Sequence, residues 1–203
     1  SITSAQELTQ FFPEFSILAT GYVHQDAAHQ VKVFNDSLMD PFKAKVENEL
    51  GVKLLSIMYL GKRHVNLRQC KDEVNVQTPS DLAGINLRMP GTDAWQFLGK
   101  ALGANPTPMA FTEVYTALQT GMIDTINTPP QSIRAYSWWE FLKYGQRPYQ
   151  YFADAYIMAN SDWFKKLPSD LQKVVLDAGK KFGDVSTSKI IGVGEAVSYT
   201  HLT

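Results

Sequence analysis

The alternation of strand patterns with helix patterns is the feature of this sequence that most restricts its fold. Residues 52–60 form a short apolar run typical of a buried strand, and they follow a helix pattern that ends at Gly51. Apolar residues at every second position predict another strand over residues 85–89, and residues 92–102 have the pattern of a helix. Strands that alternate with helices predict an α/β fold with a mostly parallel sheet.

Further helices are predicted at residues 26–35, 112–120, 138–143 and 168–182. In the second of these segments, Thr112 is expected to cap the first turn and Gly121 to end the helix. A strand is expected to begin at Met122. The prolines that follow Asn105 predict a rigid loop over residues 105–111.

The two ends of the chain do not resemble the ends of a complete protein. The sequence opens in the middle of a pattern, and residues 198–203 continue no periodicity. We therefore expect an internal fragment of a longer protein, with residues 198–203 as a non-native tail. The chain contains no internal repeat and no low-complexity linker, so any domain boundary must be crossed by ordinary strands or short loops.

Charge and composition argue against several classes of protein. The chain has 19 Lys and Arg residues against 20 Asp and Glu residues, whereas a nucleic-acid binder normally carries a basic patch. No apolar run approaches the roughly 20 residues that a membrane-spanning helix needs. Cys70 is the single cysteine, which excludes an internal disulfide and a CxxC metal site.

The sequence also lacks the common motifs of catalysis and cofactor binding. It contains no G-x-S-x-G, H-E-x-x-H, G-x-x-x-x-G-K-[ST] or G-x-G-x-x-G. His24 and His29 are five residues apart, do not share a helix face, and are expected at the surface. Cys70 has no neighbour that marks it as a nucleophile. These observations predict neither an enzyme nor a resident metal or cofactor.

Two arginines are candidates for binding an anionic ligand. Arg88 lies near the end of a predicted strand that leads into a helix, and ligands of open α/β sheets bind at the carboxyl ends of strands. A guanidinium there can hold a carboxylate in a planar fork, which lysine cannot do. The alternative, which the pattern alone slightly favours, is a solvated strand residue paired with a surface acid. Both interpretations also apply to Arg63, which follows the strand at residues 52–60.

Two loops add further candidates. The segment 105–111 is either a simple connector or a stiff wall that holds Phe111 against a ligand. Asn127 and Thr128 follow the start of a predicted strand and either offer an amide and a hydroxyl to a ligand or form a plain turn.

Residues 78–91, TPSDLAGINLRMPG, resemble the "TPeDLkGlkiRvpg" segment of the solute-binding proteins of tripartite ATP-independent periplasmic (TRAP) transporters. Residues 102–121, LGANPTPMAFTEVYTALQTG, are similar to the most diagnostic segment of the same family. Shorter matches cover residues 12–14, 61–63 and 167–174, so the resemblance is collinear over nearly the whole chain.

The resemblance implies a two-lobed fold of the periplasmic-binding-protein kind, type II-like, with the N-terminal part of one lobe missing. In this interpretation residues 1–61 belong to the incomplete lobe I and residues 62–150 form lobe II. Residues 151–197 return to lobe I and begin a long helix that crosses both lobes.

The resemblance also implies a function. The protein would be a periplasmic monomer that captures a carboxylated organic acid in a cleft between lobes, closes by a hinge motion, and delivers the acid to the small and large membrane subunits of a TRAP permease. No catalysis, cofactor or nucleic acid is implied. A ligand-binding sensor domain of a receptor is the alternative, and an α/β enzyme acting on a small organic acid is a further one.

The family's motifs assign roles to the candidate residues. Arg88 matches the arginine that holds the ligand carboxylate, Arg63 a second polar contact, and Phe111 an aromatic residue that lines the cleft. The family commonly has an asparagine at the position of Thr128, whereas here Asn127 lies one residue earlier.

Overall fold

The structure is a computed structural model that describes residues 2–69, 73–146 and 152–200. Its strands are β1 (Ile2–Thr3), β2 (Val52–Lys62), β3 (His64–Leu67), β4 (Asn86–Met89), β5 (Asn105–Pro108), β6 (Thr125–Thr128), β7 (Tyr144–Gln146) and β8 (Phe152–Asn160). Its α-helices are α1 (Ala5–Leu8), α2 (Ser16–Ala19), α3 (Ala27–Asn35), α4 (Asp40–Leu50), α5 (Asp93–Ala101), α6 (Val114–Thr120), α7 (Pro130–Ala135), α8 (Ser161–Lys165) and α9 (Ser169–Thr200). Short 3₁₀ helices lie at Pro13–Phe15, Ser37–Met39, Pro79–Leu82, Phe111–Glu113 and Trp138–Glu140.

The strands form two separate sheets. The first sheet has the order β1-β8-β2 and is antiparallel throughout. The second sheet has the order β5-β4-β6-β3-β7, and only β4 pairs in parallel with its neighbours β5 and β6. The predicted α/β class is confirmed, but the prediction of a mostly parallel sheet is wrong. The prediction fails because β8 runs antiparallel to both of its neighbours in the first sheet, and β3 runs antiparallel to both of its neighbours, β6 and β7, in the second.

Residues 105–108, predicted to begin a rigid loop, form the strand β5. This strand lies at the edge of the second sheet. The amide of Asn105 donates to Ile85 O and the amide of Met109 donates to Met89 O, so odd-numbered residues face β4. Pro106 and Pro108 occupy the alternate positions, whose missing N–H groups would point away from the sheet. An edge strand can therefore contain two prolines without losing ladder hydrogen bonds.

In the described part of the chain, three apolar clusters form the core. The cluster beside the first sheet includes Leu8, Phe12, Phe15, Phe34, Val46, Ile57 and Tyr156. The second sheet is covered on both faces because its side chains alternate. One face carries a cluster that includes Val65, Leu67, Leu87, Met89 and Trp95. The other face carries a cluster that includes Val114, Leu118, Ile123, Ile126 and Trp138.

Most of the predicted helices are present, with local differences. Asp26 caps α3 by accepting from His29 N, and Gly51 ends α4 in the left-handed conformation. The predicted cap at Thr112 is wrong, because this residue lies inside a 3₁₀ turn that precedes α6. The predicted helix at residues 138–143 is only the 3₁₀ turn Trp138–Glu140.

Helix α9 packs against β2 and also contacts α7, the helix that follows β6 in the chain. The helix continues to Thr200, past the position where its pattern was expected to stop, and residues 201–203 lie outside the described part. Within the described ranges, no helix combines the length and the apolar composition that crossing a membrane requires.

Candidate functional site

The residues predicted to bind a ligand lie around the carboxyl ends of two parallel neighbours, β4 and β6. Arg88 is in β4, Asn127 and Thr128 end β6, and Phe111 begins the turn after β5. Arg63 lies at the junction between β2 and β3, and β3 is the other neighbour of β6. The fold therefore collects residues that are up to 65 positions apart in sequence, from Arg63 to Thr128, at one edge of one sheet.

Arg88 is buried, with only 7% of its surface exposed. Its Nε and Nη2 atoms donate to Met109 O over 3.1 and 2.7 Å, and its guanidinium lies 5.7 Å from the centre of the Phe111 ring. The alternative of a solvated strand residue is therefore wrong. The Met109 carbonyl occupies the Nε side of the guanidinium, which leaves the Nη1 and Nη2 end as a second fork of donors.

The surroundings of Arg88 disfavour its charge. Burial, and next the nearby guanidinium of Arg63, lower the pKa of Arg88 from 12.5 to about 10, while the carboxylate of Glu7 acts in the opposite direction. Arg88 nevertheless remains protonated at neutral pH. A bound anion would offset the unfavourable burial and the repulsion between the two guanidiniums.

Arg63 is held by two neighbours from different elements. Its Nη1 atom donates to Asn127 O over 2.7 Å, and its guanidinium lies 4.4 Å from the centre of the Trp95 ring in α5. Stacking on an indole and one hydrogen bond fix the plane of the guanidinium. Arg63 is thus an oriented donor group whose charge acts on Arg88.

Asn127 and Thr128 are both strand residues, so the prediction of a plain turn is wrong. They are 2% and 4% exposed, and because side chains alternate along a strand they face opposite sides of the sheet. In the part of the chain that the structure describes, neither amide atom of the Asn127 side chain has a hydrogen-bond partner. Buried amides without partners are rare in native proteins and call for an explanation.

Phe111 has 42% of its surface exposed and forms part of an aromatic wall. Its ring lies edge-on to Tyr136 with ring centres 4.8 Å apart, and it lies 5.1 Å from Trp138. Its other neighbour is the guanidinium of Arg88. The ring therefore packs against two aromatic side chains and keeps a large exposed area near a cation.

The sequence patterns did not identify Glu7 or Trp95 as part of this site. The indole Nε1 of Trp95 donates to Glu7 Oε1 over 3.1 Å, and this contact joins α1 near the first sheet to α5 on the second. Trp95 matched only the apolar pattern of a helix, and Glu7 lies 88 residues away from it. No local pattern could have connected them.

The remaining candidates for chemistry lie elsewhere. His24 is only 7% exposed, so its predicted surface position is wrong, and its ring is 5.7 Å from that of His29. Across residues 2–69, 73–146 and 152–200, no group of three or more His, Cys, Asp or Glu side chains is arranged to hold a metal ion. Cys70 lies outside the described residues.

Comparison with solved structures shows close similarity to TRAP periplasmic solute-binding proteins. One from Roseobacter denitrificans, with bound 3-deoxy-D-manno-oct-2-ulosonic acid (KDO), is 53% identical, with a TM-score of 0.95 over 100% of this chain and 68% of that chain. A second one from R. denitrificans OCh 114, with bound L-galactonate, is 25% identical, with a TM-score of 0.85 over 100% of this chain and 67% of its own.

Curated relatives agree with this similarity. The 2,3-diketo-L-gulonate-binding periplasmic protein of Escherichia coli (strain K12) is 27% identical over 85% of this chain and 51% of its own length. A solute-binding protein of R. denitrificans is 28% identical over 86% of this chain and 52% of its own length. The chain thus spans about half the length of the curated relatives it matches.

The family model described as bacterial extracellular solute-binding protein, family 7 (DctP), matches residues 1–195. The predicted resemblance to TRAP solute-binding proteins is confirmed, and so is the two-lobed α/β fold class that these proteins share. Because the family model covers nearly the whole sequence, this chain belongs to the DctP family of bacterial extracellular solute-binding proteins.

Proposed function

We propose that this chain is the ligand-capturing part of a periplasmic solute-binding protein that takes up a sugar acid and delivers it to the small and large membrane subunits of a TRAP permease. It acts as a monomer and without catalysis. The observation that carries the proposal is the buried guanidinium of Arg88, anchored on Met109 O and lying beside the partly exposed ring of Phe111. A buried cation near the end of a strand, whose charge burial and a second guanidinium disfavour, is stabilised by an anionic ligand.

In this proposal Arg88 binds the carboxylate of the sugar acid. One edge of its guanidinium, Nε and one N–H of Nη2, is anchored on Met109 O, and the second N–H of Nη2 with an N–H of Nη1 forms the fork that faces away from this carbonyl. The anchor fixes the plane of the fork, so that a carboxylate can accept two parallel hydrogen bonds. Phe111 covers the ligand from the side, with its exposed ring next to Arg88.

Asn127, with Arg63 and the neighbouring Thr128, contributes selectivity. Its unpartnered amide can donate to and accept from the hydroxyl groups of a sugar acid, and such pairing would satisfy a buried polar group. A site that hydrogen-bonds a hydroxyl strongly rejects a ligand that lacks it. This arrangement favours polyhydroxy acids over simple aliphatic acids. The sugar acids bound to the two R. denitrificans relatives fit this class.

Binding energy requires more than one contact. A hydrogen bond to a charged group contributes about 1.5–3 kcal/mol net, whereas a dissociation constant of 1 μM corresponds to about 8.2 kcal/mol. The remainder must come from other contacts that form when the protein closes around the ligand. We propose that residues 1–61 and 151–197 form one lobe and that residues 62–150 form the other. The two lobes close because the ligand makes contacts that are available only in the closed state.

The test is calorimetric titration of the purified protein with KDO, L-galactonate and D-galacturonate. Arg88→Lys is expected to weaken binding of the preferred acid by about 10-fold or more, which corresponds to about 1.4 kcal/mol, because lysine cannot form the fork. Arg134→Lys, a change at an exposed position of α7, is the matched control and is expected to bind like the wild type.

The KDO-binding relative from R. denitrificans serves as the positive control of the assay. Equal affinities of Arg88→Lys and the wild type would overturn the role of Arg88. Failure of every acid to bind the wild type, while the relative binds KDO, would overturn the proposed function.

A further inference from the structure

A carboxylate of the chain itself acts on the charge of Arg88 and contacts the tryptophan on which Arg63 stacks. Glu7 extends from α1, and its Oε1 atom accepts a hydrogen bond of 3.1 Å from the indole Nε1 of Trp95. The Trp95 ring is 1% exposed and lies under the Arg63 guanidinium, 4.4 Å from it. Glu7, the indole and Arg63 therefore form a continuous series of contacts that leads to the carbonyl of Asn127.

The position of Glu7 is fixed by the elements around it. Ala5 N, in the same helix, donates to the buried carboxylate of Asp154 in β8 over 3.2 Å. Leu8 is 4% exposed and belongs to the core cluster of the first sheet. The backbone of α1 is thus anchored on both sides of Glu7, and the hydrogen bond from Trp95 Nε1 orients its carboxylate.

Among the described residues, the three charged side chains that these observations connect, Arg63, Arg88 and Glu7, carry one positive charge in sum. Arg63 and Arg88 contribute two positive charges and Glu7 contributes one negative charge, and the influence of Glu7 reaches Arg88, where it opposes the effect of burial. The electrostatic complement of this set is an anion with one negative charge. A second negative charge next to Glu7 would face a carboxylate that is held in place.

We propose that Glu7 is a specificity-determining residue of this site, which accepts acids with one carboxylate and rejects acids that carry a second carboxylate at the Trp95 end. This inference rests on the proposed function and narrows its substrate class to monocarboxylic sugar acids. Exclusion by a like charge is a common way to separate chemically similar ligands. The same carboxylate accepts hydrogen bonds, so a hydroxyl group at this end of the ligand is favoured where a carboxylate is not.

The test compares two ligands that differ at one carbon. Galactonate carries one carboxylate, and galactarate has the same six-carbon skeleton with a second carboxylate in place of the terminal hydroxymethyl group. Both are titrated into the wild type and into Glu7→Gln. Glutamine keeps an oxygen that can accept from Trp95 Nε1 but removes the charge. Glu49→Gln, on the exposed side of α4, removes one negative charge away from these contacts and is the matched control.

We expect the wild type and Glu49→Gln to bind galactonate more tightly than galactarate. In Glu7→Gln the ratio of the two dissociation constants should change by about 10-fold in favour of galactarate. An unchanged ratio in Glu7→Gln, with galactonate still bound by the wild type, would overturn the role of Glu7 and leave the proposed function standing. If the wild type bound neither of these acids and none of the acids in the calorimetric titrations above, both the role of Glu7 and the proposed function would be overturned.

Discussion

Two asparagines on neighbouring strands show how single residues separate a structural role from a binding role. Asn66 in β3 and Asn127 in β6 are both 2% exposed. The Asn66 amide donates to the carbonyls of His64, Ile126 and Thr128, whereas the Asn127 amide has no partner in the described part of the chain. The first asparagine holds strands together. The second leaves hydrogen-bonding capacity unused beside Arg63.

Replacing each of these asparagines by valine should have opposite effects on the ligand-free protein. Asn127→Val removes an unpartnered amide and should leave the free energy of unfolding unchanged or raise it by about 1 kcal/mol. Asn66→Val leaves carbonyl groups without their donor and should lower it by about 1–3 kcal/mol. Thermal and chemical denaturation, with and without the preferred sugar acid, measure both effects.

The same denaturation experiment tests the role of Asn127 in binding. The ligand should raise the melting temperature of Asn127→Val less than that of the wild type, because the amide that would pair with the ligand is gone. Equal losses of stability in both valine variants would contradict the distinction between the two residues.

At the scale of elements, the long helix α9 approaches the first sheet closely enough to replace part of its hydrogen bonding. The Thr187 hydroxyl accepts from Tyr59 N over 3.1 Å, next to the point where the register of β2 and β8 shifts between Tyr59 and Gly61. Gly183, one turn earlier in the helix, makes the close approach possible. A Cβ atom at this position would lie 2.4 Å from Ile57 O and 2.4 Å from the hydroxyl of Ser56.

Adding a methyl group at this contact should push α9 away from β2. Gly183→Ala is expected to lower the free energy of unfolding by about 1–3 kcal/mol, as overpacking does in well-packed contacts. Gly192→Ala, in the same helix, would place a Cβ that meets no described atom within 4 Å outside the helix's own nearby backbone, and should raise it by about 0.5–1 kcal/mol through helix propensity. Denaturant unfolding monitored by circular dichroism compares the two variants. A stabilising Gly183→Ala would show that the helix does not depend on this contact.

At the scale of the whole molecule, Glu47 connects segments that are far apart in the chain. This residue of α4 accepts from the Ser161 hydroxyl over 2.7 Å, from Lys53 Nζ over 2.9 Å, and pairs with Lys165 Nζ at 3.3 Å. The hydrogen bond from Ser161 and then those from the two lysines lower the pKa of Glu47 from 4.5 to about 2, against the opposing effect of burial. Helix α4, strand β2 and helix α8 are thus joined at one carboxylate.

This depressed pKa makes a pH-dependent contribution to stability. The folded state binds the proton of Glu47 more weakly than the unfolded state, so the contribution is present above about pH 4.5 and is lost as the pH falls towards about 2. Glu47→Gln should therefore be less stable than the wild type at neutral pH, and the difference should shrink below pH 4.5. Urea denaturation at a series of pH values tests this, with Glu49→Gln as the control. A difference that stays constant with pH would exclude the ionised form of Glu47 as its source.

Local patterns were sufficient to predict much of this protein. The strand at residues 52–60, the helix ends at Gly51 and Gly121, and the α/β class are confirmed because caps and periodicity depend on neighbours in sequence. The resemblance to TRAP solute-binding proteins is confirmed as well, because it rests on ordered motifs. Strand-end position and motif together selected Arg88 as a ligand-binding residue, which remains a prediction.

Only the tertiary structure decided the rest, because it depends on contacts between residues far apart in sequence. The prolines of β5 predict a loop, and they fit a strand because that strand lies at an edge of the sheet. The antiparallel pairs of the second sheet follow from where β3 and β7 join it. Glu7 and Trp95 meet across 88 residues. Among the described residues, the Asn127 amide lacks the partners that the Asn66 amide has. No spacing along the chain encodes such contacts, because they form only when the elements pack together.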